Sequence, residues 1–214
     1  MANDTREASI DAPESSQKDP TTPTATEHAR PSTLLVLWND WKYRHGRLVD
    51  ESSGSILYDF DNKYTQLVFR RLDSVEGDQI GTASFHFIST SAIDVRIHST
   101  SFSLKHRDWK HRDQQWLSPA FGNQTMTWSK ANPWTSSSIT LLDEAQLPVA
   151  KFSPGGAVTL KQPSKIEFMG ERSISQEMLD ELVVTGVALM RDLINQTQAS
   201  AGAKAGAAEA TGDV

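Results

Sequence analysis

The run Leu182-Val183-Val184-Thr185-Gly186-Val187-Ala188-Leu189-Met190 constrains this chain more than any other part of it. It reads as the middle of one helix that begins near Ser175 and reaches Ile194. Across those nine positions only Thr185 is neither apolar nor small. A helix that is apolar on every side has to be enclosed, by protein or by lipid. Nine residues fall well short of the ~20 that cross a bilayer, so the segment is expected to be a core helix with the rest of the chain wrapped around it. Ser175 is placed to cap the helix by accepting from its early backbone amides. Glu177, Asp180 and Glu181 fall near the positive end of the helix dipole. Ile174 and Leu179 are spaced for a hydrophobic staple. Gly186 weakens a helix by about 1 kcal/mol relative to alanine, and is read as making room for a strand that comes close.

Upstream of the helix the punctuation is that of a β protein. Residues 33–38 form a short apolar run, and 48–58 carry a Ser52-Ser53-Gly54 turn. Residues 64–71 read as a strand stopped by Asp73 and Gly77-Asp78. In 79–88, Ile80, Ser84, His86 and Ile88 alternate with Gly81, Ala83, Phe85 and Phe87. In 92–97, Ile93, Val95 and Ile97 share one face. A period of two marks a strand with one buried side. Further strand candidates are 101–104, 124–129, 137–142, 147–152, 157–160 and 165–169, with turn signals every eight to twelve residues. Short strands at that spacing predict an antiparallel sandwich or barrel, mainly β with one helix.

Both ends of the 214-residue chain have a different composition. Residues 1–30 are rich in Ser, Thr, Pro, Ala and acid, with six acids against three bases, so half of the net charge of -6 lies there. Such a segment buries too little surface to offset the entropy of ordering. Residues 198–214 are Ala, Gly and small polar residues without a periodic face. The division expected is therefore a disordered tail over 1–30, one domain over 31–197 and a disordered Ala/Gly-rich tail over 198–214. The chain has no cysteine, which excludes a disulfide framework, a thiol nucleophile and a thiolate metal site. The start of the chain does not read as a secretory leader, so a cytoplasmic location is expected, with the nucleus or a peripheral membrane position as variants. The Asn-x-Thr triplets at Asn3, Asn123 and Asn195 are then read as chance. The domain is near neutral, and no nucleic-acid partner is expected.

Three segments carry a resemblance to a known family: Gly122-Asn123-Gln124-Thr125-Met126-Thr127-Trp128; Ile139-Thr140-Leu141-Leu142-Asp143-Glu144 leading to Pro148-Val149-Ala150-Lys151-Phe152; and Lys165-Ile166-Glu167-Phe168-Met169 followed by the helix. In them, and in the order of many short strands and a last apolar helix, the chain resembles the tubby C-terminal-like superfamily, which includes tubby, the LURP-one-related proteins and the phospholipid scramblases. It is most similar there to small fungal proteins of uncharacterised function. The resemblance spans roughly 33–197 and implies a closed antiparallel barrel of about 12 strands around a central hydrophobic helix. Barrel geometry agrees, because a ring that large is too wide for its own side chains to fill.

The most distinctive polar stretch is Lys105-His106-Arg107-Asp108-Trp109-Lys110-His111-Arg112-Asp113. One reading makes Lys105, Arg107, Lys110 and Arg112 a phosphate- or anionic-lipid-binding loop with Trp109 as an interfacial anchor. The other makes it a solvated hairpin tip whose Asp108 and Asp113 cancel half the fixed charge. His-Arg-Asp occurs twice, but the Asn and Gly-rich loop of a kinase are absent. The six Trp residues (38, 41, 109, 116, 128, 134) read as barrel core and strand ends, or as the lining of a ligand cavity. His86 and His98 are read as structural residues on strands. Asp94 falls in a strand and Asp143-Glu144 in a turn, so no acid–base pair is assigned. No catalytic residue, cofactor or metal is implied. Three functions follow: a non-enzymatic binding or adaptor module associating with phosphoinositide or anionic membrane; a small-ligand carrier or enzyme using the barrel mouth; and a scaffold whose tails bind protein partners. Scrambling, which the family resemblance raises, is disfavoured because the chain has neither a membrane-length apolar run nor a cysteine to acylate.

Overall fold

The computed structural model describes residues 31–39, 43–72, 77–86, 92–106, 113–130, 138–155, 163–170 and 172–209, with side chains described as far as Gln196. Its strands are β1 (Thr33–Trp38), β2 (His45–Asp50), β3 (Ile56–Lys63), β4 (Gln66–Arg71), β5 (Gln79–Phe85), β6 (Ile93–Ile97), β7 (Thr100–His106), β8 (Gln114–Ser118), β9 (Gln124–Ser129), β10 (Ile139–Leu142), β11 (Pro148–Ser153) and β12 (Ser164–Phe168); one helix, α1 (Gln176–Glu209), follows. Each strand pairs antiparallel with its neighbour in sequence. The ring closes where β1 meets β12, with Leu34 opposite Ile166 and Val36 opposite Ser164. The architecture is thus a closed antiparallel barrel of twelve strands that leaves no unpaired edge.

Every residue from 180 to 190 on α1 is buried. Its partners come from around the ring: Tyr58 on β3, Arg71 on β4, Trp116 on β8 and Trp128 on β9. A helix with no wet side thus occupies the space that twelve strands cannot fill. The inward faces supply the rest of the core, including Leu34, Leu48, Phe60, Phe69, Ile93, Val95, Met126 and Phe152. Ser175 caps the helix as expected, its hydroxyl accepting from the Met178 amide at 3.3 Å.

Some local expectations change. Gly186 does not answer a backbone that comes too close: a methyl there would lie 3.5 Å from the Trp128 ring and 3.6 Å from Ile166, an ordinary contact. The demanding glycines are Gly46 on β2, where a Cβ would meet the buried Phe60 ring at 2.2 Å, and Gly81 on β5, where it would meet the Arg96 carbonyl oxygen at 2.6 Å. Tyr64 and Thr65 belong to the β3–β4 turn rather than to a strand, and Tyr64 is left-handed (φ 48°) and 85% exposed. Strand β8 has no counterpart in the sequence reading, because its pattern is inverted. Gln114, Trp116 and Ser118 point inward, while Leu117 is the exposed residue. The strand candidate at 157–160 lies outside the described residues. Helix α1 runs on to Glu209, past residue 197 where the sequence reading ends the domain. Six alanines between 199 and 208 give that extension high intrinsic helix propensity.

Candidate functional site

Polar groups concentrate in two places: inside the barrel at the first turns of α1, and outside it on the face made by β4 to β7. The interior group is built on Asp180 and Glu181, both buried. Asp180 Oδ1 accepts from the Tyr58 hydroxyl and from Gln176 Nε2, each at 2.9 Å. Its Oδ2 accepts from Arg71 Nη1 at 3.2 Å and lies 3.1 Å from His98 Nε2. Gln176 Nε2 also donates to the Tyr58 oxygen at 2.9 Å. Burial, then the neighbouring Asp180 carboxylate, push the Tyr58 phenol far above its ordinary range, so Tyr58 is a fixed donor and not an acid–base group. Glu181 accepts from Trp116 Nε1 at 2.7 Å and from the Ala120 amide at 3.1 Å. Thr185 donates to the Glu181 carbonyl at 2.8 Å and accepts from Trp128 Nε1 at 3.2 Å. Each buried carboxylate oxygen thus has a donor, as buried charge requires, and tryptophans tie the helix to two strands.

His98 joins the interior to the exterior. It sits in the β6–β7 turn rather than on a strand, with a left-handed backbone (φ 50°) and its amide donating to the Ile80 carbonyl at 2.8 Å. This uncommon conformation for a residue with a side chain sets the ring on the barrel rim. One ring nitrogen faces Asp180, yet the side chain stays 47% exposed. On one side of His98 lies a hollow of about 190 Å³ at the barrel mouth, walled by Ile97, Phe102, Pro119 and Ala120 with Glu177 and Glu181 at its margin. Glu177 is held below the usual carboxylate range by its own backbone amide and the Ser175 hydroxyl.

On the other side of His98 lies a shallow polar trough. One part, of about 580 Å³, is lined by Lys63, Gln66, Arg70, Gln79, Thr82, Arg96 and His98. The adjoining part, of about 460 Å³, shares Gln66, Thr82 and Arg96 and extends to Ser84, Asp94, Ser101 and Ser103. The strand pleat explains the composition: residues alternate with the buried Ile93, Val95 and Ile97, so Asp94 and Arg96 point out. Most charges here are already engaged. Arg70 pairs with Asp61 at 2.7 Å and Asp59 at 3.5 Å. Asp94 accepts from Ser103 at 2.6 Å and lies 2.6 Å from His86 Nε2, and those two contacts hold its carboxyl below the usual range. Arg96 and Lys63 have no ion-pairing partner among the described residues.

Of the basic loop singled out in the sequence, Lys105 is exposed on β7, one pleat beyond Ser103, and its charge reaches Asp94. Arg107, Trp109, Lys110 and Arg112 lie outside the described residues. The trough itself escaped sequence reasoning, because Lys63, Arg70 and Arg96 are scattered over three strands and only the register brings them together. The interior group escaped it for another reason. Asp180-Glu181 looks like an ordinary acidic first turn, and only the proximity of an all-apolar run hinted that both acids would be carried inside. Trp116 and Trp128 are core residues as read, Trp38 packs edge-on against Phe60 with ring centroids 4.8 Å apart, and Trp41, Trp109 and Trp134 lie outside the described residues. Asp143 is a turn residue as read. Burial opposes its charge, but the Leu147 amide at 2.8 Å and Arg172 Nη2 at 2.7 Å outweigh it and hold the carboxyl low. Among the described residues no group of three or more metal-ligating side chains converges, and no helix is long and apolar enough to cross a membrane. Compared with known protein families, with curated proteins and with solved structures, the chain matches none.

Proposed function

We propose that this chain is a non-enzymatic binding module: a tubby-like barrel that acts inside the cell and holds an anionic group, the phosphate of a phospholipid headgroup, in the trough on the outer face of β4 to β7. The observation that carries the proposal is the pair of cations, Arg96 and Lys63, that have no ion-pairing partner among the described residues, in a hollow whose other described charges are partnered. A guanidinium beside hydroxyl and amide groups is suited to a phosphate, which it meets with a planar fork of donors. The resemblance to tubby-like proteins supports the same class of function, and Lys105 extends the positive face toward the basic loop.

The test is flotation with vesicles that contain or lack phosphoinositide, at about 0.1 M salt so that only close-range attraction survives. Binding that depends on the anionic lipid and falls in Arg96→Ala and Lys63→Ala supports the reading. Equal and negligible binding to both vesicles removes it.

A further inference from the structure

The trough and the mouth hollow are neighbours. His98 forms a wall of the mouth hollow and of the larger part of the trough. Phe102 forms a wall of the mouth hollow and of the smaller part. Their strands also adjoin, since Gly81 of the trough pairs with Ile97 of the mouth. The two spaces differ in chemistry. The trough offers hydroxyls and two cations that have no ion-pairing partner among the described residues. The mouth offers Ile97, Phe102, Pro119 and Ala120, and the carboxylate of Glu181 there is already occupied by Trp116 and the Ala120 amide. Among the described residues that wall the mouth, Glu177 is exposed and negative, and would repel an anion placed against it.

We infer that the two hollows are subsites for one ligand, a small amphipathic anion, with its phosphate or carboxylate on Arg96, the trough cation next to mouth-lining Ile97 and His98, and its apolar part in the mouth. This rests on the trough being an anion site. Charge sets the direction: cations on one side of His98 and carboxylates on the other leave only one orientation. Size sets the apolar part. A dry cavity of about 150 Å³ takes a benzene ring, so a hollow of about 190 Å³ takes an aromatic ring or a short alkyl segment, not a whole acyl chain. Ring and rim then share the work: Phe102, stacked on Trp116 at 6.3 Å between centroids, supplies a flat wall, and His98 separates head from tail.

The experiment is calorimetric titration of the full chain with phenyl phosphate and with inorganic phosphate. The expected result is about tenfold tighter binding of phenyl phosphate, the gain from burying one ring. Ala120→Leu and, at the first residue of β7, which also lines the mouth, Thr100→Phe, each checked to melt as the parent does, fill the mouth. Each is expected to bring phenyl phosphate down to the affinity of inorganic phosphate and to leave the latter unchanged. Equal affinities in the parent chain overturn the shared-ligand inference and leave the trough reading standing. Failure of both probes to bind overturns both. The same variants in flotation with phosphatidic acid vesicles separate the two sources of this chemistry: weakened flotation assigns the ligand to lipid, and unchanged flotation assigns it to a free small molecule.

Discussion

The inside and the outside of this barrel treat charge in opposite ways. Inside, Asp180 and Glu181 are buried at the start of α1, and each carboxylate oxygen has a donor. Outside, on β4 to β7, Arg96 and Lys63 have no ion-pairing partner among the described residues. A buried charge without partners costs several kcal/mol, so the Asp180–Glu181 cluster has to be complete before the fold is stable. A solvated charge bears no such cost and can wait for a ligand. The interior polar groups are therefore the anchors of the helix, and the exterior ones are the groups available for recognition.

Mutations can break that contrast at either end. The largest effect is expected for Asp180→Ala, which removes the buried acceptor shared by Arg71, Tyr58 and Gln176. A loss of about 3–5 kcal/mol, equivalent to a fall in Tm on the order of 10 °C, should appear in denaturant and thermal unfolding. An Asp180→Ala chain as stable as the parent would show that the cluster is not an anchor. Gly81→Ala comes next. Its methyl would press on the Arg96 carbonyl oxygen, and overpacking of that kind costs about 1–3 kcal/mol. Because the strain falls on Arg96, anion binding should weaken with it.

Acid should act on the partnered carboxylates and spare the free cations. Asp143 titrates below its unfolded value because the Leu147 amide and Arg172 outweigh its burial. Its stabilising contribution is therefore complete above the unfolded pKa of about 4, and is lost as pH falls through the lower folded value. Asp143→Asn should flatten the stability profile below about pH 4; an unchanged slope there would count against the assignment. A smaller change, of opposite sign, is expected from Gly186→Ala. The methyl has room beside Trp128 and Ile166, and the helix should gain up to about 1 kcal/mol. The smallest change in stability belongs to Arg96→Ala, within about 0.5 kcal/mol as for an ordinary surface site. That variant should nevertheless lose about tenfold or more in affinity for the anion, which sharpens the contrast between anchor and receptor.

The sequence makes the barrel and its helix readable because period and composition are local. The alternation of Ile93, Val95 and Ile97 and the unbroken apolar run at 182–190 need no knowledge of partners. What is not local is hidden. Strand β8 buries Gln114 and Ser118 and exposes Leu117, so its hydrophobic pattern points the wrong way. His98 looks like a strand residue until the left-handed turn lifts it onto the rim. Arg96, Arg70 and Lys63 lie up to 33 positions apart in the sequence and come to line one trough only through the register of β3 to β6. The two acids before the apolar run were visible, but their donors, from Tyr58, Arg71 and Trp116, were not.

The order of elements along the chain also governs how the molecule comes into being. The filling of the ring, α1, is made after all twelve strands, and the seam between β1 and β12 joins segments about 130 residues apart. Until both are present a growing chain carries a curved sheet with two raw edges and an oily hollow. Assembly dominated by such distant contacts is slow and exposes sticky surface. A nascent chain halted before residue 176 should therefore call on chaperones, and adding the helix as a separate peptide is the natural way to ask whether the shell can close without it.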